Sequence, residues 1–232
     1  MNQLTEFQGK HILVLGFAKS GYAAARVLNK LGALVTVNDF SSLSEDAHAK
    51  ELEGLGVKIV DNGHPLSIQQ GNFDLVVKNP GIPYSNPVVQ AMQQRNIPIW
   101  TEVELAYRLT GSTIIGITGS NGKTTTTTIL NHLFNIDHKQ AWIAGNIGTV
   151  ATEVAQEASD EDTIIMELSS FQLLGIDQFR PHIAIITNIY EAHLDYHGSR
   201  EAYVAAKGNL LKNQTADEYI IYNANQQDVV DL

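Results

Sequence analysis

The sequence predicts an α/β protein with two parallel β-sheets, each covered by helices. Short apolar runs alternate with helix-like segments, the alternation begins again at Ser112, and a glycine-containing loop follows the first apolar run of each half. Continuous apolar runs indicate strands buried on both faces of a parallel sheet. The 232 residues are enough for two modest domains, and we place their boundary within residues 100–111.

The first half contains short apolar segments that predict strands, separated by longer segments that predict helices. The predicted strands are 11–16, 34–39, 57–60, 73–77 and 97–100. The predicted helices are 19–31, 44–55 and 87–95, with Ser44 as the N-cap of the second, and 102–109 as a linking helix.

The second half repeats this alternation. The predicted strands are 113–117, 141–144, 163–168, 183–187 and 219–222, and helices are predicted from Lys123, over 200–211 and from Gln226. The chain stops at Leu232, shortly after a strand and without a polar tail. We therefore expect it to be a truncated chain.

Composition excludes several classes of function. The formal net charge is -10, from 15 Lys+Arg against 25 Asp+Glu, and no basic run is present, so nucleic acid is not an expected partner. The absence of cysteine excludes disulfides, thiolate zinc sites and cysteine nucleophiles. The first ten residues are polar, and no apolar run is long enough to span a membrane. We expect a cytoplasmic protein.

The first βα turn resembles a Rossmann-like dinucleotide fingerprint. Gly16 and Gly21 stand at the outer positions of G-x-G-x-x-G, Ala18 replaces the middle glycine, and Asp39 ends the next strand. One interpretation is a nucleotide site, with Asp39 on a ribose hydroxyl; the other is a tight turn whose glycines serve packing only. Residues 78–83 form a further loop at the end of a strand, where ligands of parallel sheets bind.

The second half opens with a glycine loop that predicts phosphate binding, with a purely structural glycine turn as the alternative. Strand 113–117 is followed by Gly119, Ser120, Asn121, Gly122, Lys123, Thr124 and Thr125, and then by a helix. Backbone N–H groups and the helix N-terminus attract phosphate, the lysine reaches the terminal phosphates and the threonine hydroxyl can hold Mg²⁺. Ile117 stands where the strict G-x-x-x-x-G-K-[ST] pattern has its first glycine. The loop predicts a P-loop NTPase-like domain.

Polar residues follow later strands of the same half. Glu167 ends strand 163–168, and in a parallel sheet its carboxylate would emerge beside the phosphate loop as a second metal anchor. Ser169, Ser170 and Gln172 extend this polar cluster, and His193 follows strand 183–187. Taken alone, Glu167 is an ordinary strand-end acid, His193 a surface histidine and Lys207 a solvated helical lysine.

Together these motifs resemble the Mur ligase family of peptidoglycan synthesis. Their order and spacing agree from near residue 10 to the end of the chain. The residues that carry the resemblance are Gly119 to Thr125, Gly145-Asn146-Ile147-Gly148, Glu167-Leu168-Ser169-Ser170-Phe171-Gln172-Leu173, Asn188, His193-Leu194-Asp195, Tyr203, Ala205-Ala206-Lys207 and Asn79-Pro80-Gly81-Ile82.

The resemblance implies a domain order and a reaction. Residues 1–100 would bind the UDP substrate, residues 101–232 would form an incomplete ATP-binding central domain, and the C-terminal amino-acid-binding domain would be absent. ATP would activate the carboxylate of UDP-N-acetylmuramoyl-L-alanine as an acyl phosphate, and the amine of D-glutamate would attack it. The chain would be a monomer that acts on small molecules, and this fragment alone would form no product.

The resemblance also implies residue roles. Lys123, Glu167, His193 and Lys207 would be catalytic, and Thr124, Glu167, His193 and Lys207 would serve two Mg²⁺ sites, with Lys207 carbamylated. The phosphate loop, from Gly119 to Thr125, would bind ATP. The UDP substrate would be held by Lys19, Ser20, Asp39, Gly81, Asn146, Ser169 and His193.

Three alternatives remain open. The chain is a UDP-sugar and ATP-binding module without turnover, or another amide ligase with the same loop, such as a different Mur-type ligase or folylpolyglutamate synthetase. The leading Rossmann-like domain argues against the folate enzyme. An NAD-dependent oxidoreductase would use the N-terminal fingerprint but would leave Lys123, Glu167 and His193 without a role.

Overall fold

The computed structural model describes residues 5–136 and 140–232. They form two compact units, an N-terminal unit that ends at Leu105 and a C-terminal unit, Ala106–Leu232. Of the polar segment 1–10, the part before residue 5 lies outside the described residues. Within the described part, no helix combines the length and the apolar character that a membrane crossing requires.

The N-terminal unit alternates strands and helices, as predicted. Its strands are β1 (His11–Leu15), β2 (Leu34–Asn38), β3 (Lys58–Val60), β4 (Leu75–Lys78) and β5 (Ile99–Trp100). Its helices are α1 (Lys19–Lys30), α2 (Ala47–Gly54), α3 (Leu66–Gln69) and α4 (Pro87–Gln94), and α5 (Glu102–Leu109) contains the division between the units.

The strand order of this unit places its loops at one crevice. The order is β3-β2-β1-β4-β5 and every pairing is parallel. The chain moves outward from β1 through β2 to β3, then returns to the other side of β1 at β4. Ligands of open parallel sheets bind where the direction changes in this way, at the carboxyl ends of the strands. Here that place lies between the loops that follow β1 and β4.

The C-terminal unit has a second parallel sheet. Its strands are β6 (Thr113–Thr118), β7 (Ala141–Gly145), β8 (Thr163–Glu167), β9 (Ile183–Ile186) and β10 (Tyr219–Tyr222). Its helices are α6 (Lys123–Ile136), α7 (Ala151–Glu157), α8 (Ser170–Leu173), α9 (Leu194–His197), α10 (Arg200–Gly208) and α11 (Gln227–Val230), with a 3₁₀ turn at Asn209–Leu211.

The order of this second sheet is β10-β9-β6-β8-β7, again parallel throughout. The central strand β6 therefore has β8 and β9 as neighbours. Ile117 pairs with Glu167 on one side and with Ile185 on the other. This register brings the loops that follow β6, β8 and β9 to one edge of the sheet. The predicted fold class, two parallel-sheet α/β domains, is confirmed.

Several predicted boundaries need correction. The predicted N-cap Ser44 is wrong, because α2 begins at Ala47 and its cap is Asp46, whose carboxylate accepts the N–H groups of His48 and Ala49. The Ser44 hydroxyl lies against that of Ser42 instead. Helix 200–211 is α10 followed by the 3₁₀ turn. The sequence prediction also missed the helices α3, α7, α8 and α9.

Candidate functional site

The phosphate loop is a tight connection between β6 and α6. Gly119 has φ +146° and Gly122 has φ +84°, conformations that side chains rarely adopt. A Cβ on Gly119 would overlap the Thr187 hydroxyl, so the segment after β9 lies directly against the loop. The Ser120 N–H donates to the Asn188 carbonyl at 2.9 Å. The loop is therefore fixed by its glycines and by the strand that neighbours it.

Lys123 folds back over its own loop. Its Nζ donates to the carbonyl of Gly119 at 2.9 Å and to that of Ser120 at 3.2 Å. These contacts hold a positive charge at the centre of the loop, beside the N-terminus of α6. An ammonium in this position can bind phosphate oxygens, which would replace the two carbonyls as its hydrogen-bond partners.

Glu167 lies beside the loop, as the sequence predicts. Its carboxylate is almost completely buried, with 1% of the residue exposed. It accepts the Thr124 hydroxyl at 2.8 Å and the Asn146 amide at 2.9 Å. Two hard oxygen donors, a carboxylate and a hydroxyl, thus meet at the first turn of α6. This donor set fits Mg²⁺, which prefers oxygen ligands.

The residues predicted for the second metal site, His193 and Lys207, do not meet in the way that Thr124 and Glu167 do. In the described part of the chain, no three His, Asp or Glu side chains come close enough together to hold a metal ion. The His193 ring packs 5.0 Å from the Phe171 ring, edge to face, and 6.3 Å from the Tyr203 ring. The protonated form of Lys207 would repel a metal ion, whereas a carbamate on this residue would offer oxygen ligands.

Lys207 reaches the phosphate loop from α10. It is 2% exposed, and its Nζ donates to the Gly119 carbonyl at 2.8 Å and lies 4.7 Å from the centre of the Tyr203 ring. Burial, and to a smaller extent the charge of Lys123, lowers the pKa of Lys207 to about 7. A substantial fraction of this amine is therefore neutral near neutral pH.

Side chains around the loop form contacts that the sequence did not predict. The Ser120 hydroxyl lies 2.9 Å from the Tyr203 hydroxyl, and it bonds both the carbonyl and the N–H of Tyr190. Asn188 accepts the Asn121 N–H through its side-chain oxygen at 2.9 Å. Helix α10 and the segment after β9 thus hold the loop from two sides. Only their place in the resemblance marked Asn188 and Tyr203.

A small aromatic cluster surrounds His193. His197 stacks on Phe171 at 5.4 Å, and its Nε2 lies 2.9 Å from the Ser170 hydroxyl. Burial, with the charges of His193 and Lys207, lowers the pKa of His197. The predicted substrate residue Ser169 caps α8 and bonds Gln172 in a capping box. Sequence reasoning missed His197, which stands in a loop-like segment without a periodic pattern.

The N-terminal unit contains a cavity of about 620 Å³ at its crevice. Its walls come from the loops after β1, β2, β3 and β4, and they include the predicted residues Asp39 and Gly81. Ser20 does not line the cavity, but its hydroxyl accepts a hydrogen bond from the amide of the lining residue Asn79 at 3.3 Å. Lys19 is exposed and does not line the cavity either. Phe40 is 74% exposed and stands at the wall as well.

Asp39 ties two loops of this cavity together. One carboxylate oxygen accepts the Phe17 N–H at 2.7 Å, and the other accepts the Ser41 N–H at 2.8 Å. Each oxygen keeps a further lone pair for a ligand hydroxyl. The loop after β1 therefore depends on an acid at the end of β2.

A half-buried chain of hydrogen bonds through Asn38, His64 and Asn86 lies at the same cavity, and nothing in the sequence pattern predicted it. Asn38 donates its amide to the carbonyls of Val60 (2.7 Å) and Gly63 (2.9 Å), so its oxygen must face His64 Nδ1 at 2.6 Å. His64 Nδ1 is consequently the donor, and Nε2 accepts the Asn86 amide at 3.2 Å. These hydrogen bonds join the end of β2 to the start of α4.

Comparison with known proteins identifies the family. The model of the Mur ligase middle domain matches residues 117–231. The chain is 54% identical over its whole length to the UDP-N-acetylmuramoylalanine–D-glutamate ligase of Bacillus cereus (strain G9842), and 55% identical to that of Bacillus thuringiensis (strain Al Hakam). In each case it covers 52% of the relative. The chain therefore spans about half the length of these curated relatives.

Solved structures agree on the fold. The chain aligns over 96% of its length with the UDP-N-acetylmuramate:L-alanyl-γ-D-glutamyl-meso-diaminopimelate ligase of Neisseria meningitides, with TM-score 0.60, 18% identity and 74% of that chain covered. A murein peptide ligase of Psychrobacter arcticus 273-4 aligns over 96% of this chain and 51% of its own, with TM-score 0.55 and 20% identity. With its phosphate loop, strand-end carboxylate and matching relatives, the chain belongs to the Mur ligase family.

Proposed function

We propose that this chain carries the UDP-substrate site and the ATP site of a ligase that adds D-glutamate to UDP-N-acetylmuramoyl-L-alanine. The observation that carries the proposal is the meeting of Lys123, Thr124, Glu167 and Lys207 at one edge of the second sheet. Phosphoryl transfer needs positive charge and oxygen ligands for a metal at the same place. The names of the relatives favour this substrate pair over other amide ligases.

The proposed reaction has two chemical steps. The substrate carboxylate forms a bond to the γ-phosphorus of ATP, and the bond from that phosphorus to the β-phosphate oxygen breaks. The amine of D-glutamate then attacks the carbonyl carbon and loses a proton, and inorganic phosphate leaves. A carboxylate alone is a poor acyl donor, and the first step supplies its leaving group.

The residues of the phosphate loop would hold and orient ATP. The N–H groups of the loop and the N-terminus of α6 would face the phosphates, and Lys123 would neutralise charge on the transferring group. Thr124 and Glu167 would hold Mg²⁺, which supplies charge neutralisation between the phosphates when bound. Asn146 keeps the Glu167 carboxylate in place through its amide.

Lys207 has a proposed role that requires a covalent change. Its neutral amine would attack CO₂, form an N–C bond and release a proton, which leaves an anionic carbamate. Burial of Lys207 keeps part of its amine neutral and able to react, and the nearby positive charge of Lys123 would stabilise the carbamate anion. The carbamate oxygens would join His193 in the second proposed Mg²⁺ site.

Carbon-13 NMR measures this modification. With ¹³C-bicarbonate, the chain is expected to show a carbamate resonance that Lys207→Gln lacks and Lys212→Gln retains. Lys212 is exposed and serves as the matched control. A resonance that survives Lys207→Gln, or none in the unaltered chain, would contradict carbamylation.

The cavity of the N-terminal unit would bind the UDP part of the substrate. UDP-N-acetylmuramoyl-L-alanine is expected to raise the unfolding temperature of this unit by several degrees, and NAD at equal concentration to raise it less. A ligand at about 100 times its Kd stabilises a protein by about 2.7 kcal/mol. Differential scanning calorimetry measures both, with uridine as a control that lacks phosphates. Protection by NAD equal to or above that by the UDP compound would favour the oxidoreductase.

A further inference from the structure

Lys78 is a buried cation that the proposed reaction does not use. It ends β4 and is 1% exposed. Its Nζ donates to the carbonyls of Asn79 at 3.1 Å, Pro80 at 3.3 Å and Ile82 at 2.6 Å. An ammonium has three N–H groups, so these three carbonyls satisfy it completely. Burial of a charge without an opposite charge is unfavourable, which calls for a reason beyond stability.

The surroundings of Lys78 contain no compensating carboxylate among the described residues. In the described part of the chain, the titratable side chain that faces Nζ is Tyr84, whose ring centre lies 4.9 Å away. Burial alone lowers the pKa of Lys78 to about 8. The folded protein therefore binds this proton more weakly than the unfolded chain, so the charged form opposes folding at neutral pH, and this cost falls as the pH rises above 8.

The partners of Lys78 belong to the loop 79–83, which lines the cavity. Two of the three carbonyls precede a proline, and proline nitrogen has no hydrogen to offer a ligand. The N–H of Gly81 is the remaining donor of these peptide units, and it bonds the side-chain oxygen of Asn79 at 3.0 Å. The ammonium thus organises both the main chain and the Asn79 side chain of this loop.

The direction of these carbonyls matters for the cavity. Asn79, Gly81 and Ile82 line it, whereas Lys78 lies beneath the loop and does not. Carbonyl oxygens that bond the ammonium are turned away from the cavity, so their negative ends do not face its interior. A cavity wall of this kind accepts an anion more readily than one lined by carbonyl oxygens.

Building on the proposed function, we propose that Lys78 is a positioning residue for a nucleoside diphosphate in this cavity. Its ammonium draws three carbonyls out of the cavity wall and fixes the loop against the glycine turn after β1. A Cβ on Gly16 would approach Asn79 Cβ to 2.8 Å and Ile82 Cδ1 to 2.9 Å, so the two loops are already in close contact. Displacement of one loop therefore displaces the other.

Binding of UDP to the full 232-residue chain tests this role. By isothermal titration calorimetry, Lys78→Met is expected to bind UDP about tenfold more weakly, because the three carbonyls lose their donor. Lys58→Met makes the same change at an exposed position on β3 and is expected to bind as the unaltered chain does. The unfolding temperature of Lys78→Met should stay within a few degrees, since loss of a buried charge offsets lost hydrogen bonds.

The pH dependence separates positioning from a merely structural role. With a pKa of about 8, roughly nine-tenths of Lys78 is charged at about pH 7 and roughly one-tenth at about pH 9. UDP affinity of the unaltered chain and of Lys58→Met should therefore fall several-fold between these values. Lys78→Arg keeps its charge and should show no such fall.

Each outcome has a distinct meaning. If the unaltered chain binds no UDP, the proposed function of the N-terminal unit fails. If it binds UDP and Lys78→Met binds equally well, or the affinity of the unaltered chain is the same at both pH values, the role of Lys78 is overturned. If Lys78→Met does not fold, the same pH dependence of UDP affinity in Lys78→Arg as in the unaltered chain overturns the role instead.

Discussion

Replacement of Gly119 by alanine is expected to abolish detectable ATP binding. Gly119 has φ +146°, and a Cβ there would overlap the Thr187 hydroxyl and lie 3.0 Å from the Asn188 carbonyl oxygen. The loop would have to move away from the segment after β9. Its carbonyl is also the shared acceptor of Lys123 and Lys207. Because the phosphate contacts of the loop depend on this geometry, we expect ATP affinity to fall by about 100-fold or more, as measured by calorimetry.

Gly122→Ala is the matched control in the same loop. Gly122 also has positive φ, +84°, but a Cβ there would meet no atom within 4 Å. It carries only the conformational cost of a left-handed residue, about 1–2 kcal/mol, so ATP affinity should fall about tenfold. Equal losses in the two variants would show that strain, and not contact with Thr187 and Asn188, determines the loop.

The strands and their parallel arrangement could be predicted because the signal is local. The central parts of runs such as 11–16 and 163–168, residues 12–15 and 164–166, are apolar throughout, as strands covered on both faces must be. The same argument placed Glu167, because the carboxyl ends of parallel strands share an edge, and its bond to Thr124 confirms that placement. The roles of these residues came from the resemblance, and for the reacting groups they stay proposals.

What could not be predicted depends on contacts between distant segments. Asp46 was missed as a cap because Ser44 offers an equally suitable side chain, and only the path of the loop decides between them. The hydrogen bonds through Asn38 and His64 join segments whose approach requires the finished sheet. In the sequence, Lys78 ends an apolar strand and has the pattern of a solvated strand terminus. Its burial beneath the loop 79–83 is evident only in the folded structure.

Glu167→Gln is expected to remove the effect of Mg²⁺ on ATP binding while the fold is retained. Glutamine has the same shape: its oxygen can accept the Asn146 amide, and its amide can donate to the Thr124 hydroxyl. The variant therefore loses the negative charge and little else. A metal clamp contributes several kcal/mol, so the increase in ATP affinity on addition of Mg²⁺ should shrink by about 100-fold. Calorimetry with and without Mg²⁺ measures the difference.

Glu161→Gln is the control, because it makes the same change at an exposed position before the opposite end of β8. It should keep the full response to Mg²⁺. An unchanged response in Glu167→Gln would contradict the proposed role of this carboxylate in holding Mg²⁺. ATP binding without metal should survive in Glu167→Gln and be lost in Gly119→Ala, because the loop would hold phosphate through its backbone whereas Glu167 would act through the proposed cation. The two variants therefore distinguish nucleotide binding by the loop backbone from the proposed charge neutralisation by a metal ion at Glu167.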